Sequence, residues 1–149
     1  MPRCVSVLLP VLLVLVPRSS SAQEHYTLGS ISRVILVDIK PGKASAYWND
    51  LRQNLRPLYD EYKRQGLIQD YSVGVKTTTE GPNDWDAVII LTFPNWAALD
   101  TFATKGDSIS MRYSGSYAKR SDLASKRSES ASVVSSILVR DVTLKEMSK

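Results

Sequence analysis

Two short segments of the chain are apolar at every position, Val34 to Val37 and Ala87 to Leu91. A strand with one face in water alternates apolar and polar residues, whereas a strand buried on both faces is apolar throughout. Helices of a small domain cover one face of a sheet, so the other face needs a second cover. The same sheet of a second copy is the simplest cover, and the pattern therefore predicts a homodimer.

Turn residues divide the chain into elements in the order β-α-β-β-α-β. The predicted strands are Ser30 to Ile39, Leu67 to Thr77, Trp85 to Phe93 and Val133 to Leu144. The predicted helices are one from Ala44 that ends at Gly66 and one capped by Asn95 that ends at Gly106. We expect residues 107–132, rich in serine and basic side chains, to form a loop with one short helix around Tyr117 to Ser128. This order predicts an α+β, ferredoxin-like domain with a four-stranded antiparallel sheet and helices on one face. The two apolar segments fall on its first and third strands, which are the central strands of that arrangement.

Pro57 falls inside the first predicted helix and removes one backbone donor from it. We therefore expect a kink or a break near Asn54 to Arg56. The helix stripes carry Trp48, Tyr62 and Trp96, and aromatic residues at such positions usually pack in the core.

The beginning of the chain has the pattern of a secretory signal. Arg3 precedes an apolar stretch from Val5 to Val16, and small residues up to Ala22 follow it. Pro10 interrupts the stretch, which is shorter than the ~20 residues that a membrane-spanning helix needs. The sequence therefore predicts cleavage after Ala22 and a secreted or periplasmic single domain, residues 23–149, without a stable membrane anchor.

Composition excludes several classes of function. Arg3 and Arg18 leave with the signal, which leaves 17 basic and 15 acidic residues, a net charge of +2 and no reason to expect a nucleic-acid partner. Cys4 is the single cysteine and also lies in the signal, so disulfides and thiolate sites are excluded from the mature chain. Motifs for phosphate binding, zinc hydrolysis and serine hydrolysis are missing from the sequence. We expect no cofactor and no metal. The acidic residues Glu80, Asp84 and Asp86 are predicted to form a solvated hairpin tip.

The order of elements, the PGK turn before the first helix, and the run WDAVIILTFPNWAALDTF from Trp85 to Phe102 resemble the dimeric α+β barrel superfamily. Antibiotic-biosynthesis monooxygenase-like and NIPSNAP-like domains belong to it. The resemblance implies two ferredoxin-like sheets packed face to face in a homodimer. Its members perform cofactor-free oxygenation, haem breakdown and lactone isomerisation or have structural roles, so it implies a fold and no single reaction. Haem-degrading members use a histidine ligand in the cleft, whereas the single histidine of this chain, His25, precedes the first strand.

Five residues are candidates to line a ligand pocket: Tyr47, Asn54, Arg56, Tyr71 and Trp85. The aromatic members combine an apolar ring with a polar tip, which suits a flat organic ligand, although core packing explains aromatic residues equally well. The polar pair Asn54 and Arg56 lies beside Pro57, where a solvated turn is the competing interpretation. The sequence identifies no catalytic residue.

Three functions remain open at this point. The leading hypothesis is a secreted homodimer that binds a small hydrophobic or aromatic ligand. The second is a cofactor-independent monooxygenase or isomerase that acts in the same cleft between sheet and helices. The third is a structural module that binds a partner through the basic residues of the serine-rich segment, Lys119, Arg120, Lys126 and Arg127.

Overall fold

The computed structural model describes residues 25–78, 81 and 84–146, and their elements follow the predicted order. The strands are β1 (Tyr26–Ile39), β2 (Asp70–Val75), β3 (Ala87–Phe93) and β4 (Ala131–Leu144). The helices are α1 (Ala44–Asp50), α2 (Arg56–Arg64), α3 (Trp96–Ser114) and α4 (Tyr117–Ser130). A π-helical turn, Leu51–Leu55, joins α1 to α2. The predicted signal sequence, its predicted cleavage position and Glu80 lie outside the described residues.

The four strands form one antiparallel sheet in the order β2-β3-β1-β4. β1 and β3 are the central strands, with Val34 opposite Ile90 and Leu36 opposite Val88. The prediction that both fully apolar segments lie on central strands is therefore confirmed. The order of elements and the antiparallel sheet define an α+β, ferredoxin-like fold, as the sequence predicted.

The helices pack on one face of this sheet and bury its side chains. On β3, the alternate residues Ile89, Leu91 and Phe93 are at most 4 % exposed. They form one core with Tyr62 of α2 and Leu99 of α3. Burying a large apolar side chain stabilises a fold by roughly 1.5–3 kcal/mol, so each of these core residues contributes on that order.

The opposite face of the sheet is apolar but only partly buried. Its side chains alternate along β1 and β3 with those that face the helices, and edge strand β4 extends the surface. Ile137 and Val139 of β4 remain 49 % and 42 % exposed. We call this surface the open face and define it by Val34, Leu36, Val88, Ile90, Ile137 and Val139. Within one chain, therefore, only the helix-facing side of the sheet is buried, whereas the sequence predicted burial of both faces.

The second long helix differs from the prediction, because α3 continues through Gly106 to Ser114. A Cβ atom at Gly106 would lie 3.3 Å from the Phe102 ring, so glycine permits close packing here. α3 ends and the chain turns at Gly115, whose φ of +81° is a left-handed conformation that favours glycine. The prediction of a loop over residues 107–132 is wrong, since α3 and α4 occupy most of this segment, although the helix expected around Tyr117 is present as α4.

The interruption predicted near Pro57 is confirmed and takes the form of the π-helical turn. Pro57 then lies in the first turn of α2, where a missing N–H donor costs little. Asn95 caps α3 as predicted, with its side chain accepting a hydrogen bond from the Ala98 N–H at 2.9 Å.

Two other predictions are wrong. The second strand, predicted from Leu67, begins at Asp70, because Leu67 and Ile68 are buried in the core before the strand starts. Trp96, predicted to pack in the core, is 49 % exposed.

Candidate functional site

A cavity of about 150 Å³ lies between the helix-facing side of the sheet and the helices. We call it the inner cavity. Its apolar lining consists of Ile35, Val37, Leu55, Ile89, Ala131 and Val133. Its polar lining consists of Tyr47, Tyr59, Arg127 and Ser132. A concave apolar space with a few polar groups has the general character of a small-molecule site.

Tyr47 is the most unusual residue of this lining. Its side chain is 2 % exposed, and its hydroxyl forms no hydrogen bond to any described residue. Most buried hydroxyl groups in folded proteins are hydrogen-bonded, because an unsatisfied one costs about 1–3 kcal/mol. Tyr62, by contrast, donates its buried hydroxyl to the Gly106 carbonyl at 3.1 Å. Tyr47 therefore lines the inner cavity and carries a buried hydroxyl that has no hydrogen-bond partner among the described residues.

Arg127 of α4 supplies the charged group of the inner cavity. Its Nε donates to Asp50 Oδ2 at 2.7 Å, and this ion pair ties α4 to the end of α1. Asp50 also accepts a hydrogen bond from Asn54 Nδ2 at 2.9 Å. The pair is about two-thirds buried on the arginine side, so Asp50 fixes the guanidinium beside the cavity.

Burial controls the ionisation of both cavity tyrosines. It raises the pKa of Tyr59 to about 12 and also raises the pKa of Tyr47. The positive charge of Arg127 acts on both hydroxyls in the opposite direction, which places the guanidinium within electrostatic range of each. Both tyrosines are consequently neutral hydrogen-bonding groups at physiological pH.

The raised pKa of Tyr59 predicts alkaline destabilisation. The unfolded chain releases this proton near pH 10 and the folded chain near pH 12, so the free energy of unfolding should fall between these values. Tyr59→Phe should make this decrease smaller, as measured by urea unfolding at pH 9, 10 and 11. Tyr117→Phe is the control, because Tyr117 is 74 % exposed. An unchanged slope in Tyr59→Phe would contradict the prediction.

A second, larger space of about 490 Å³ lies between the π-helical turn, α3 and α4. We call it the outer groove. Three cationic side chains line it, Lys119, Arg120 and Arg127, and no carboxylate does. Leu55 and Arg127 line the outer groove as well as the inner cavity, so the two spaces adjoin at these residues.

The structure distributes the five predicted pocket residues over different places. Tyr47 lines the inner cavity and Asn54 lines the outer groove. Arg56 and Tyr71 come together at the edge of the sheet around Asp60, which accepts the Tyr71 hydroxyl at 2.6 Å. Arg56 also lies 4.0 Å from Asp60, so these groups already pair with one another and this edge is a weaker candidate for a ligand site.

Trp85 lies at the base of the β2-β3 hairpin and lines neither the inner cavity nor the outer groove. Lys76 lies over its ring, 5.4 Å from the centroid, and pairs with Asp84. Asp86 accepts the Ile39 N–H at 2.7 Å. Asp86 therefore ties the hairpin to β1, whereas Trp85 and Asp84 contact Lys76 within the hairpin.

Sequence reasoning did not select Tyr59 or Arg127 as pocket residues. Arg127 lay in the basic cluster, and its spacing from Asp50 along the chain gives no sign of their contact. Two of the other basic residues are also paired within the chain, Arg120 with Asp107 at 2.5 Å and Lys126 with Asp122 at 2.7 Å, whereas Lys119 has no ion pair among the described residues. These pairs tie α4 to α3 or lie within α4, and they leave the partner-binding hypothesis without specific support.

The described residues contain no group of three or more histidine, cysteine, aspartate or glutamate side chains placed to hold a metal ion. Among the same residues, every helix is too short or too polar to cross a membrane. His25 is exposed, and its carbonyl accepts the Lys145 N–H at 2.9 Å.

No protein-family model matches the chain, and no curated protein matches it significantly. Solved structures do match it. HapK from Hahella chejuensis is 12 % identical with a TM-score of 0.50, and the match covers 80 % of this chain and 99 % of HapK. A dimeric ferredoxin-like protein of unknown function from Jannaschia sp. CCS1 is 12 % identical with a TM-score of 0.45, and the match covers 75 % of this chain and 97 % of that protein. The similarity to HapK supports the ferredoxin-like fold and leaves the function open.

Proposed function

We propose that the mature protein is a secreted homodimer that binds a small hydrophobic or aromatic ligand between its sheet and helices. The observation that carries the ligand is the Tyr47 hydroxyl, buried beside an apolar cavity without a partner among the described residues. A ligand with one polar atom satisfies this hydroxyl while its apolar part fills the cavity. Binding then removes the desolvation cost that the hydroxyl otherwise carries.

The dimensions of the inner cavity limit the ligand. Apolar protein cavities of about 150 Å³ accommodate a single benzene-sized ring. The inner cavity has this volume and is lined by branched aliphatic side chains on both the sheet and the π-helical turn. We therefore propose one substituted aromatic ring as the part of the ligand that enters it.

The homodimer is proposed from the chemistry of the open face. The six side chains that define it are uncharged and aliphatic, and Ser32 and Thr92 flank them on the central strands. Two copies of an uncharged surface meet without like-charge repulsion, so the open face is compatible with itself under two-fold symmetry. Contact between two such faces buries apolar area that the helices of one chain leave exposed.

p-Cresol, one ring with one hydroxyl, is a suitable probe for the inner cavity. We expect isothermal titration to show binding to the wild-type protein and at least a tenfold loss of affinity in Ala131→Leu, because the larger side chain occupies the cavity. Ala97→Leu makes the same change at an exposed position of α3 and should bind normally. Tyr47→Phe should bind about tenfold more weakly, the value of one hydrogen bond. Equal affinity in wild type and Ala131→Leu would place p-cresol elsewhere and contradict the proposal.

A further inference from the structure

The two adjoining spaces have different chemistry. The inner cavity is apolar apart from its tyrosine hydroxyls, Ser132 and Arg127, whereas the outer groove has three cationic side chains and no carboxylate in its lining. Leu55 and Arg127 stand at the boundary and line both. A ligand that extends from one space into the other therefore meets apolar surface at one end and positive charge at the other.

Arg127 retains hydrogen-bonding capacity at this boundary. Among the described residues its hydrogen-bond partner is Asp50, which accepts from Nε at 2.7 Å and from Nη2 at 3.5 Å. A guanidinium group has five N–H donors, so donors remain for a second acceptor. The side chain is 32 % exposed and thus accessible from the groove. A planar carboxylate is an acceptor that matches the guanidinium geometry.

The charge balance of the outer groove indicates the charge of its ligand. Arg120 and Arg127 are neutralised by Asp107 and Asp50, respectively. Lys119 has no ion pair with any residue in the described ranges, which leaves an excess of about one positive charge at the groove. One excess positive charge matches a singly charged carboxylate better than a more highly charged phosphate, which Asp50 would repel more strongly.

We propose that the ligand is an aryl-alkanoic acid, with its ring in the inner cavity and its carboxylate in the outer groove at Arg127 and Lys119. This inference rests on the proposed function, because the inner cavity must hold the ring. It adds the acidic group, the place where that group binds and the two side chains that recognise it. Asp50 is then a positioning residue that orients Arg127.

The test compares acids with their uncharged amides by isothermal titration at low ionic strength. The probes are 4-hydroxyphenylacetate and 3-(4-hydroxyphenyl)propanoate, each with the corresponding amide. Wild-type protein should bind at least one acid about tenfold more tightly than its amide, since hydrogen bonds between charged groups are stronger than neutral ones. The preference should decrease with added salt. Arg127→Gln and, independently, Lys119→Gln should each reduce the preference severalfold. Lys105→Gln is the control and should leave the preference unchanged, because this substitution removes an exposed charge of α3 that lies outside the groove lining.

The outcomes separate the two proposals. Equal affinity for each acid and its amide overturns the acidic ligand, and it leaves the proposed function intact if p-cresol binds in a manner sensitive to Ala131→Leu. A preference for acid that survives in both Arg127→Gln and Lys119→Gln overturns the assignment to the outer groove. Failure of the acids, the amides and p-cresol to bind overturns the proposed function together with this inference.

Discussion

Replacing Ile90 with glutamate should convert the proposed homodimer into a folded monomer. Ile90 lies on central strand β3 opposite Val34, in the middle of the open face. A glutamate there places an unpaired carboxylate in the proposed interface, and two-fold symmetry places a second one close to it. Burying an uncompensated charge costs about 3–5 kcal/mol, so the dissociation constant should rise at least a hundredfold.

Light scattering coupled to size exclusion measures this change on residues 23–149. Val75→Glu is the matched control: Val75 is 62 % exposed, but it lies on edge strand β2 opposite Ala87, on the helix-facing side of the sheet. We expect it to remain dimeric. If Ile90→Glu fails to fold by circular dichroism, Val139→Glu tests the same surface on an exposed edge strand. A monomeric wild-type protein at micromolar concentration, or a dimer that survives both substitutions, would refute the proposed interface.

Two buried tyrosines should respond in opposite ways to the loss of a hydroxyl. Tyr47→Phe should raise the free energy of unfolding by about 1 kcal/mol, because it removes a buried polar group without a partner among the described residues. Tyr62→Phe should lower it by about 1 kcal/mol, because the Tyr62 hydroxyl donates to the Gly106 carbonyl at 3.1 Å. Both substitutions leave the ring in place, so the comparison isolates the hydroxyl.

Urea unfolding of the ligand-free protein at one fixed concentration measures both values, since the stability of a dimer depends on concentration. We expect the midpoint to move in opposite directions for the two variants. Saturation with a bound phenol should reverse the sign for Tyr47→Phe, because the wild-type hydroxyl then has a partner. A loss of stability in ligand-free Tyr47→Phe equal to that in Tyr62→Phe would remove the basis for the ligand site.

The sheet was predictable from the sequence because the burial of a strand determines the local pattern of apolar and polar residues along it. The fully apolar run from Ala87 to Leu91 identified a central strand without knowledge of its neighbours, and Asn95 identified a helix start through its own side chain. The predicted helix end at Gly106 was wrong because glycine ends many helices. Here glycine instead allows close packing against the Phe102 ring, and the sequence does not reveal that contact.

The candidate site was less predictable, because its parts are distant in sequence. Arg127 meets Asp50 across 77 residues, and no local pattern encodes that contact. The polar residues Asn54 and Arg56 were selected for their place beside Pro57, yet they lie on different sides of α2 and the π-helical turn and line different spaces. Tyr47 was selected for its chemistry, and the structure adds its burial and its missing partner.

The π-helical turn determines the rotational phase of the two helices that it joins. Tyr47 and Tyr59 are twelve residues apart, a spacing that separates two side chains by about 120° around an uninterrupted α-helix. A π-helical turn absorbs roughly one extra residue, which reduces this offset to about 20°. Leu51–Leu55 therefore acts as a one-residue phase correction, and both tyrosines reach the same side of the helix pair and line the inner cavity.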